Sequence, residues 1–281
     1  MTSRFLLIAL ATAAAASGQA PATPQGFQLN EVQQAYLDQV LSQWEARSSE
    51  IATFQCEFTR WVYDPVFGPK PTESGEPIAK QVESGEVSYQ RPDRGSFQIS
   101  KIQAWDAAEQ RHVENSNLVG EHWVCDGQSI YQYNYREKQL EVQPIPPEQQ
   151  GQNITDGPLP FLFGAKADQL KARYWMRVDP RAPAGAVWLH AAPKRQQDAA
   201  NYRLVEIMLD TERMLPRAMR VTAPDGSRTT YQFQIDQASV NSRMTQVWNS
   251  LFQAPRVPIG WKKVQIAPPT ATAAQPGAVQ R

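Results

Sequence analysis

Five side chains of the sequence could serve as nucleophiles, general bases or soft metal ligands near neutral pH. They are the two cysteines and the three histidines: Cys56, Cys125, His112, His122 and His190. None of them lies in a G-x-S-x-G or H-E-x-x-H pattern, so no hydrolase or metalloprotease is indicated. Cys56, His122 and Cys125 could form part of a zinc site, but no fourth ligand is evident for a tetrahedral shell. The sequence therefore predicts no enzyme, no metal site and no cofactor.

Charged residues are numerous and evenly balanced. Lysine plus arginine and aspartate plus glutamate each count 28 of the 281 residues, and no cationic run stands out. Binding along a nucleic-acid backbone needs a basic run or patch, so no nucleic-acid partner is predicted. Dispersed carboxylates such as Asp106, Glu109, Glu114 and Glu121 are expected along solvated strand edges and define no acid/base pair.

The cysteine pair allows two interpretations. In an exported protein such a pair is often a disulfide. Against this, Cys56 and Cys125 lie on predicted strands that several others separate, and a bridge needs Cα atoms within about 7 Å. A disulfide and two buried free thiols both remain open.

The two ends of the chain differ from its middle in composition. Residues 1–18 combine one cation, an apolar stretch and small residues, a pattern typical of a secretory signal peptide. We expect residues 19–27 to form a flexible linker, residues 28–266 a single domain, and the Ala/Pro/Thr-rich residues 267–281 a disordered tail. No later apolar run reaches membrane-spanning length. The sequence thus predicts an exported protein, periplasmic or secreted, without a transmembrane segment in the mature chain.

The hydrophobic period changes once along the middle of the chain. Asn30 is the expected N-cap of an amphipathic helix. Its apolar stripe comprises Val32, Tyr36, Leu37, Val40, Leu41 and Trp44. From Thr53 the period becomes two, which predicts strands. These strands are Thr53–Tyr63, Val82–Gln90, Gly95–Trp105, Glu121–Cys125, Ser129–Tyr135, Gln139–Gln143, Tyr174–Val178, Ala186–Ala191, Tyr202–Leu209, Ala218–Ala223 and Thr229–Ile235.

Turn chemistry between these stretches favours an antiparallel meander. Asp126-Gly127 and Asp225-Gly226 are tight-turn signals between neighbouring strands. A proline-rich connection then separates the two halves, and a short helix is predicted around Pro160 to Leu170. Phe161, Leu162 and Phe163 in this segment either form a flap or fill the core.

Several short motifs, in the correct order, resemble one family. They cover about residues 52–264, and the chain is similar to the periplasmic carrier proteins that ferry lipoproteins between bacterial membranes. Phe54 to Arg60 resembles that family's F-x-A-x-F-T-Q strand, and Gly85 to Pro92 its G-x-L-x-x-x-R-P motif. Further matches are Val124 to Asn134 with V-S-D-G-x-x-L-W-x-Y-[ND], Pro160 to Phe163 with P-x-x-L-L, Leu189 to Pro193 with L-x-P, and Phe252 to Trp261 with F-x-x-P-x-G-V.

The resemblance implies a mainly β (α+β) fold, an incomplete antiparallel β-barrel whose inner side is covered by an N-terminal helix and a mid-chain helical lid. It implies an apolar cavity for acyl chains, to which Phe97 and Ile99 correspond. It also implies that Arg91, the arginine of the R-P motif, holds the lid closed through hydrogen bonds to lid backbone, as a multi-donor side chain can. The remaining predicted cavity and lid residues are Phe58, Trp123, Tyr131, Tyr133, Phe161, Leu162 and Phe163.

Aromatic residues at strand spacing leave the role of this cavity open. Tyr131, Tyr133 and Tyr135 share one strand face, and Trp123 alternates with Cys125 in the same way. Such a face could line a lipid cavity or simply form the core. The leading hypothesis is a monomeric binding protein for a lipid or an acylated protein. The alternative is a structural or protein-interaction module of the cell envelope on the same scaffold, without a ligand.

Overall fold

The computed structural model describes residues 23–147, 150–151, 166–242, 248 and 251–266. The predicted signal peptide (1–18), the predicted tail (267–281) and the residues Phe161, Leu162 and Phe163 lie outside the described residues.

Helix α1 (Glu31–Glu50) begins as the sequence predicts. The side chain of Asn30 accepts a hydrogen bond from the backbone of Gln33, and the Gln33 side chain accepts one from the backbone of Asn30. This reciprocal capping box satisfies two donors at the helix N-terminus.

The apolar stripe of α1 is buried only in its later part. The buried members are Leu37, Val40, Leu41 and Trp44. Val32 and Tyr36 are exposed, so the prediction that they belong to the docked stripe is wrong. The reason is the path of the helix, which brings its middle and C-terminal part onto the core and leaves its first turns outside.

Fourteen strands form one sheet in the described residues. They are β1 (Thr53–Tyr63), β2 (Gln81–Gln90), β3 (Arg94–Asp106), β4 (Arg111–Glu114), β5 (His122–Asp126), β6 (Ser129–Asn134), β7 (Gln139–Pro144), β8 (Tyr174–Asp179), β9 (Ala186–Pro193), β10 (Leu204–Asp210), β11 (Pro216–Thr222), β12 (Arg228–Phe233), β13 (Ser239–Val240) and β14 (Lys262–Gln265). Short helices α2 (Ala167–Arg173) and α3 (Gln196–Ala199) and a 3-10 turn (Ile235–Gln237) complete the described elements.

The sheet is open, with β14 and β8 as its outermost strands. The order is β14-β7-β6-β5-β3-β2-β1-β12-β11-β10-β9-β8, while β4 pairs with β3 and β13 with β1. All pairs are antiparallel except β14 with β7, which is parallel. The first strand therefore lies near the middle, because β12 folds back to pair with it. The predicted mainly β, incomplete antiparallel barrel is confirmed.

Only the C-terminal part of the segment predicted as a mid-chain helix lies within the described residues. Among the described residues α2 spans Ala167–Arg173, which overlaps the expected helix around Pro160 to Leu170 only at its end. Two contacts tie α2 to α1: the Ala167 backbone donates to Glu45 at 3.0 Å, and Lys171 pairs with Asp38 at 3.1 Å. Leu170 is buried in the same core as the inner residues of the sheet.

The two faces of the sheet carry different residues. The inner face is defined here as the one covered by α1, and its core includes Phe54, Phe58, Leu189 and Ile207. Residues that alternate with these along each strand point to the opposite, outer face. Helix α1 packs mainly against β8 and α2.

Candidate ligand-binding face

A row of stacked aromatic rings crosses the inner face. The ring centroids of Phe58 on β1 and Phe97 on β3 are 4.8 Å apart, and those of Phe97 and Trp123 on β5 are 6.0 Å apart. Ile99 is buried beside them in the same core cluster. Four predicted cavity residues, Phe58, Phe97, Ile99 and Trp123, thus lie together on one face.

Exposure increases along this row. Phe58 is 1% exposed, Phe97 is buried, Trp123 is half-buried, and Gln132, the partner of Trp123 on β6, is exposed. The inner face therefore passes from a closed interior near β1 to a solvent-accessible side near β5 and β6.

Gly85 on β2 makes room for the row. A Cβ atom at this position would lie 2.8 Å from the Phe58 ring and 2.2 Å from the backbone oxygen of Gln98. Neither distance is tolerable for a side chain, so the glycine of the G-x-L-like motif permits the close approach of Phe58 to the sheet.

Tyr131 and Tyr133 lie on the outer face, not with the aromatic row. In the β5–β6 hairpin Trp123 pairs with Gln132, and Val124 pairs with Tyr131. Cross-strand partners share a face, so this register places both tyrosines opposite to Trp123. There Tyr131 is buried with Leu140 and Val142, and Tyr133 packs against them. Their assignment to the same cavity as Trp123 is therefore wrong.

Arg91 binds the end of a helix, as a lid arginine would, but that helix is α1. Its guanidinium donates to the carbonyl of Ser48 at 3.4 Å and to that of Ser49, and its backbone donates to Ala52 at 2.9 Å. Both carbonyls belong to the last turn of α1, and that of Ser48 also accepts a hydrogen bond from the backbone of Ile51. The expected lid partner, the segment at 161–163, lies outside the described residues. In the structure Arg91 therefore clamps the C-terminal end of helix α1.

Asn241 is a second clamp residue, which sequence reasoning missed. Its side-chain nitrogen donates to the carbonyl of Glu50 at 2.9 Å, and its side-chain oxygen accepts from the backbone of Ala52 at 2.7 Å. Asn241 has φ of 53°, a left-handed conformation that asparagine tolerates better than most residues. No local sequence pattern points to this role, because its partners are nearly two hundred residues away along the chain.

A buried arginine interrupts the apolar inner face. Arg60 follows Phe58 by two residues on β1, and its side chain is 13% exposed. It pairs with Glu83, its cross-strand partner on β2, and donates to Glu121 at 2.9 Å and to the Tyr231 hydroxyl at 3.3 Å. Its guanidinium also lies 5.7 Å from the centroid of the Phe97 ring. Burial disfavours the charged guanidinium, yet Tyr231 and Glu83 together raise the pKa of Arg60 above its ordinary value.

A second group of buried charges lies on the outer face. His190 on β9 has neighbours Arg177 and Asp179 on β8 and Glu206 on β10. Arg177 donates to Nδ1 of His190 at 2.9 Å, so a neutral His190 carries its proton on Nε2. That Nε2 atom faces Asp179 at 3.4 Å and Glu206 at 3.6 Å. Arg181 and Arg220 add further positive charge, as the partners of Asp179 and Glu206.

His190 should make the folded state sensitive to mild acid. Burial and the nearby Arg177 lower the pKa of His190 to about 4, whereas an unfolded histidine titrates near 6.5. The folded protein thus binds this proton less readily, so the stability contribution is present above about pH 6.5 and is lost as the pH falls towards 4. We expect urea unfolding to show roughly 2 kcal/mol lower stability near pH 4.5 than near pH 7 from this group.

A matched pair of variants checks this pH dependence. His190→Gln should reduce the difference in unfolding free energy between neutral and mildly acidic buffer. His112→Gln, on β4 away from this cluster, is the control and should leave the difference unchanged. An identical pH dependence in the wild type and His190→Gln would contradict the assignment to His190.

Cys56 and Cys125 are free thiols in the structure, and both are buried. They lie on β1 and β5, with β2 and β3 between them in the sheet. Three strand spacings of about 4.8 Å separate their backbones, which is too far for a bridge. The disulfide interpretation is therefore not what the structure contains.

Both thiols should be unreactive in the folded protein. Burial raises the pKa of Cys56 to about 12 and that of Cys125 to about 11, so little thiolate forms at neutral pH. We expect a thiol reagent to label neither cysteine in native buffer and both in denaturant, without prior reduction. Mass mapping of unreduced peptides checks the same point, and a linked peptide would contradict the sheet order.

One family model matches the part of the chain that contains strands β5 to β13. Residues 120–250 match the family model of LolA, the outer membrane lipoprotein carrier protein, which is slightly less than half of the chain. The predicted resemblance to the Lol carrier family is confirmed. The match begins just before β5 and includes the Lol carrier-like motifs at Val124 to Asn134 and Leu189 to Pro193. The motifs at Phe54 to Arg60 and at Gly85 to Pro92 precede it.

Solved structures with similar chain traces include proteins of several bacteria. An uncharacterised conserved protein from Thermus thermophilus has a TM-score of 0.45 and 11% identity, covering 82% of this chain and 99% of its own. A LolA superfamily protein from Nitrosomonas europaea has a TM-score of 0.34 and 9% identity, with coverages of 76% and 97%. LprF from Mycobacterium bovis has a TM-score of 0.34 and 11% identity, with coverages of 71% and 92%.

Two further comparisons have simple outcomes. A search of the curated proteins gives no match to this sequence. Within the part of the chain that the structure describes, no helix is both long and apolar enough to cross a bilayer.

Proposed function

We propose that the protein is an exported binding protein that holds a lipid or an acylated protein on its inner face. The observation that carries this proposal is the stacked row Phe58, Phe97 and Trp123, which runs from the closed interior to the accessible side of the sheet. An apolar surface of this shape suits an acyl chain, because contact with it removes apolar area from water. The confirmed resemblance to lipoprotein carriers supports the same interpretation.

Among the described elements, helix α1 covers this face. Arg91 and Asn241 hold its C-terminal end, and the helix would detach there when cargo binds. Each hydrogen bond of the clamp contributes only about 1 kcal/mol, so cargo can displace the end of the helix. Opening exposes the buried residues Leu41 and Trp44 at about 25 cal/mol per Å² of apolar area. An acyl chain that covers this area again offsets the cost.

The proposal also includes export of the protein from the cytoplasm. The signal-peptide pattern of residues 1–18 supports a location in the periplasm or outside the cell, where such cargo is handled. Sequencing of the exported form should find a mature N-terminus near Gln19, and recovery of intact Met1 on an unexported protein would contradict the compartment.

Native mass spectrometry tests the function directly. The full chain, expressed with export and purified without detergent, is expected to carry lipids or lipopeptides that organic extraction releases. An extract without such molecules, together with no binding of added lipid, would overturn the proposal.

A ligand-free scaffold of the cell envelope is the second candidate. The close packing of the inner face near β9 and β10 favours it, since Leu189, Ala191 and Ile207 are fully buried there. The same extraction experiment separates the two candidates, because a scaffold carries no lipid whatever its partners are.

A further inference from the structure

The strongest departure from an apolar inner face is the cluster around Arg60. In the resemblance to the carrier motif F-x-A-x-F-T-Q, Arg60 stands where the pattern has an uncharged glutamine. A buried cation costs free energy unless it is paired, and a pair is seldom more stable than well-packed apolar residues. A charge at this position therefore calls for an explanation beyond stability.

The two carboxylates around Arg60 are not equivalent. Glu83 is 5% exposed and is fixed by its place opposite Arg60 in the β1–β2 register. Glu121 is 41% exposed and arrives from the residue just before β5. Because Glu83 alone neutralises Arg60, the second carboxylate leaves the cluster with an excess negative charge. Exposed pairs are weak, so Glu121 is the replaceable partner.

We infer that Arg60 binds the acid group of an amphiphilic ligand, and that Glu121 occupies this position until the ligand arrives. This inference rests on the proposed function and names the chemistry of its cargo: an acyl chain that carries a carboxylate or a phosphate. A guanidinium suits either group, since its planar fork can donate two parallel hydrogen bonds to an oxyanion.

The position of Arg60 fits such a ligand at both ends. The Phe97 ring lies beside the guanidinium and stacks on Trp123, and an acyl chain would run along these two rings. The guanidinium carbon lies 5.7 Å from the ring centroid of Phe97 and 5.8 Å from that of Tyr231. The exposed Glu121, which also contacts the guanidinium, marks the route to solvent.

Paired probes that differ only in charge test this inference. A fluorescent polyene fatty acid and its methyl ester are titrated against the full chain at mildly alkaline pH, where the acid is ionised. The wild type should bind the acid more tightly than the ester. Glu121→Gln should strengthen binding of the acid about fivefold, because its competitor is gone, and should leave the ester unchanged.

Two further variants complete the design. Glu114→Gln is the matched control, since Glu114 is an exposed carboxylate that pairs with Lys101 and does not contact Arg60. It should change neither probe. Arg60→Gln combined with Glu83→Gln should bind acid and ester alike. If that variant does not fold, the Glu121→Gln comparison alone decides.

The outcomes separate the inference from the proposed function. Equal affinities for acid and ester in the wild type and in Glu121→Gln would overturn the inference and leave lipid binding intact. Failure of both probes to bind any variant would overturn both. Competition of the bound acid by a lysophosphatidic acid, compared with an unlabelled fatty acid of the same chain length, then tells a phosphate headgroup from a carboxylate.

Discussion

Replacing Glu83 by alanine is expected to destabilise the protein by about 3 kcal/mol, because it leaves Arg60 buried without its fixed counter-charge. Glu83 is almost fully buried, and Arg60 is its direct neighbour across the β1–β2 ladder. Glu121 remains nearby, but its exposed carboxylate lies in a more polar environment and compensates weakly. Urea unfolding at neutral pH measures the change.

Two comparison variants make this result specific. Glu114→Ala removes an exposed carboxylate and should alter stability by less than about 0.5 kcal/mol. The double substitution Arg60→Met with Glu83→Leu should recover most of the loss, since it removes the unpaired charge together with its partner. A cost of less than about 1 kcal/mol for Glu83→Ala would mean that water or Glu121 solvates Arg60, and that the cluster is not buried as described.

The cluster around Arg60 shows why the strands can be predicted from the sequence, whereas the proposed binding site around Arg60 cannot. The strands follow from a local signal, the alternation of aromatic and β-branched residues between turns, and their predicted positions agree with the structure. The partners of Arg60 lie 23, 61 and 171 residues further along the chain. Only the register brings them together, and register depends on the whole sheet.

The sheet face of two tyrosines and the presence of three short strands could not be predicted from the sequence, for related reasons. The period of two shows that Tyr131 and Tyr133 share a face, but only the pairing of Trp123 with Gln132 reveals that it is the outer one. β4, β13 and β14 were not predicted, because two to four residues give no measurable period. β14 also pairs in parallel with β7 after a long connection, which no turn signal marks.

Helix α1 shows a similar division between local and tertiary information. Its start at Asn30 is encoded locally, by a capping box that the first helical turn contains. Its end is held by Arg91 and Asn241, which come from distant parts of the chain. The resemblance implied that Arg91 binds the backbone of the mid-chain lid, and in the structure Arg91 binds carbonyls at the end of α1.

Weakening the clamp on α1 should open the inner face without unfolding the sheet. We expect Arg91→Leu combined with Asn241→Gly to raise the binding of an apolar fluorescent dye severalfold, because the hydrogen bonds to the carbonyls of Ser48, Ser49 and Glu50 are lost. Glycine is chosen at position 241 because it keeps the left-handed backbone and removes only the side chain. Each lost hydrogen bond costs about 1 kcal/mol, so together they should lower the melting temperature by roughly 10 °C and leave the sheet folded at room temperature.

Hydrogen exchange locates the opening. Amide exchange should accelerate in the last turns of α1, while peptides from β1 and β10 keep their protection. Arg111→Leu, at an exposed arginine that pairs only with Glu109 among the described salt bridges, is the matched control and should change neither dye binding nor exchange. Unchanged dye binding and exchange in the double variant would show that α1 is held by its packing against β8 and α2, and the clamp would then have no part in ligand access.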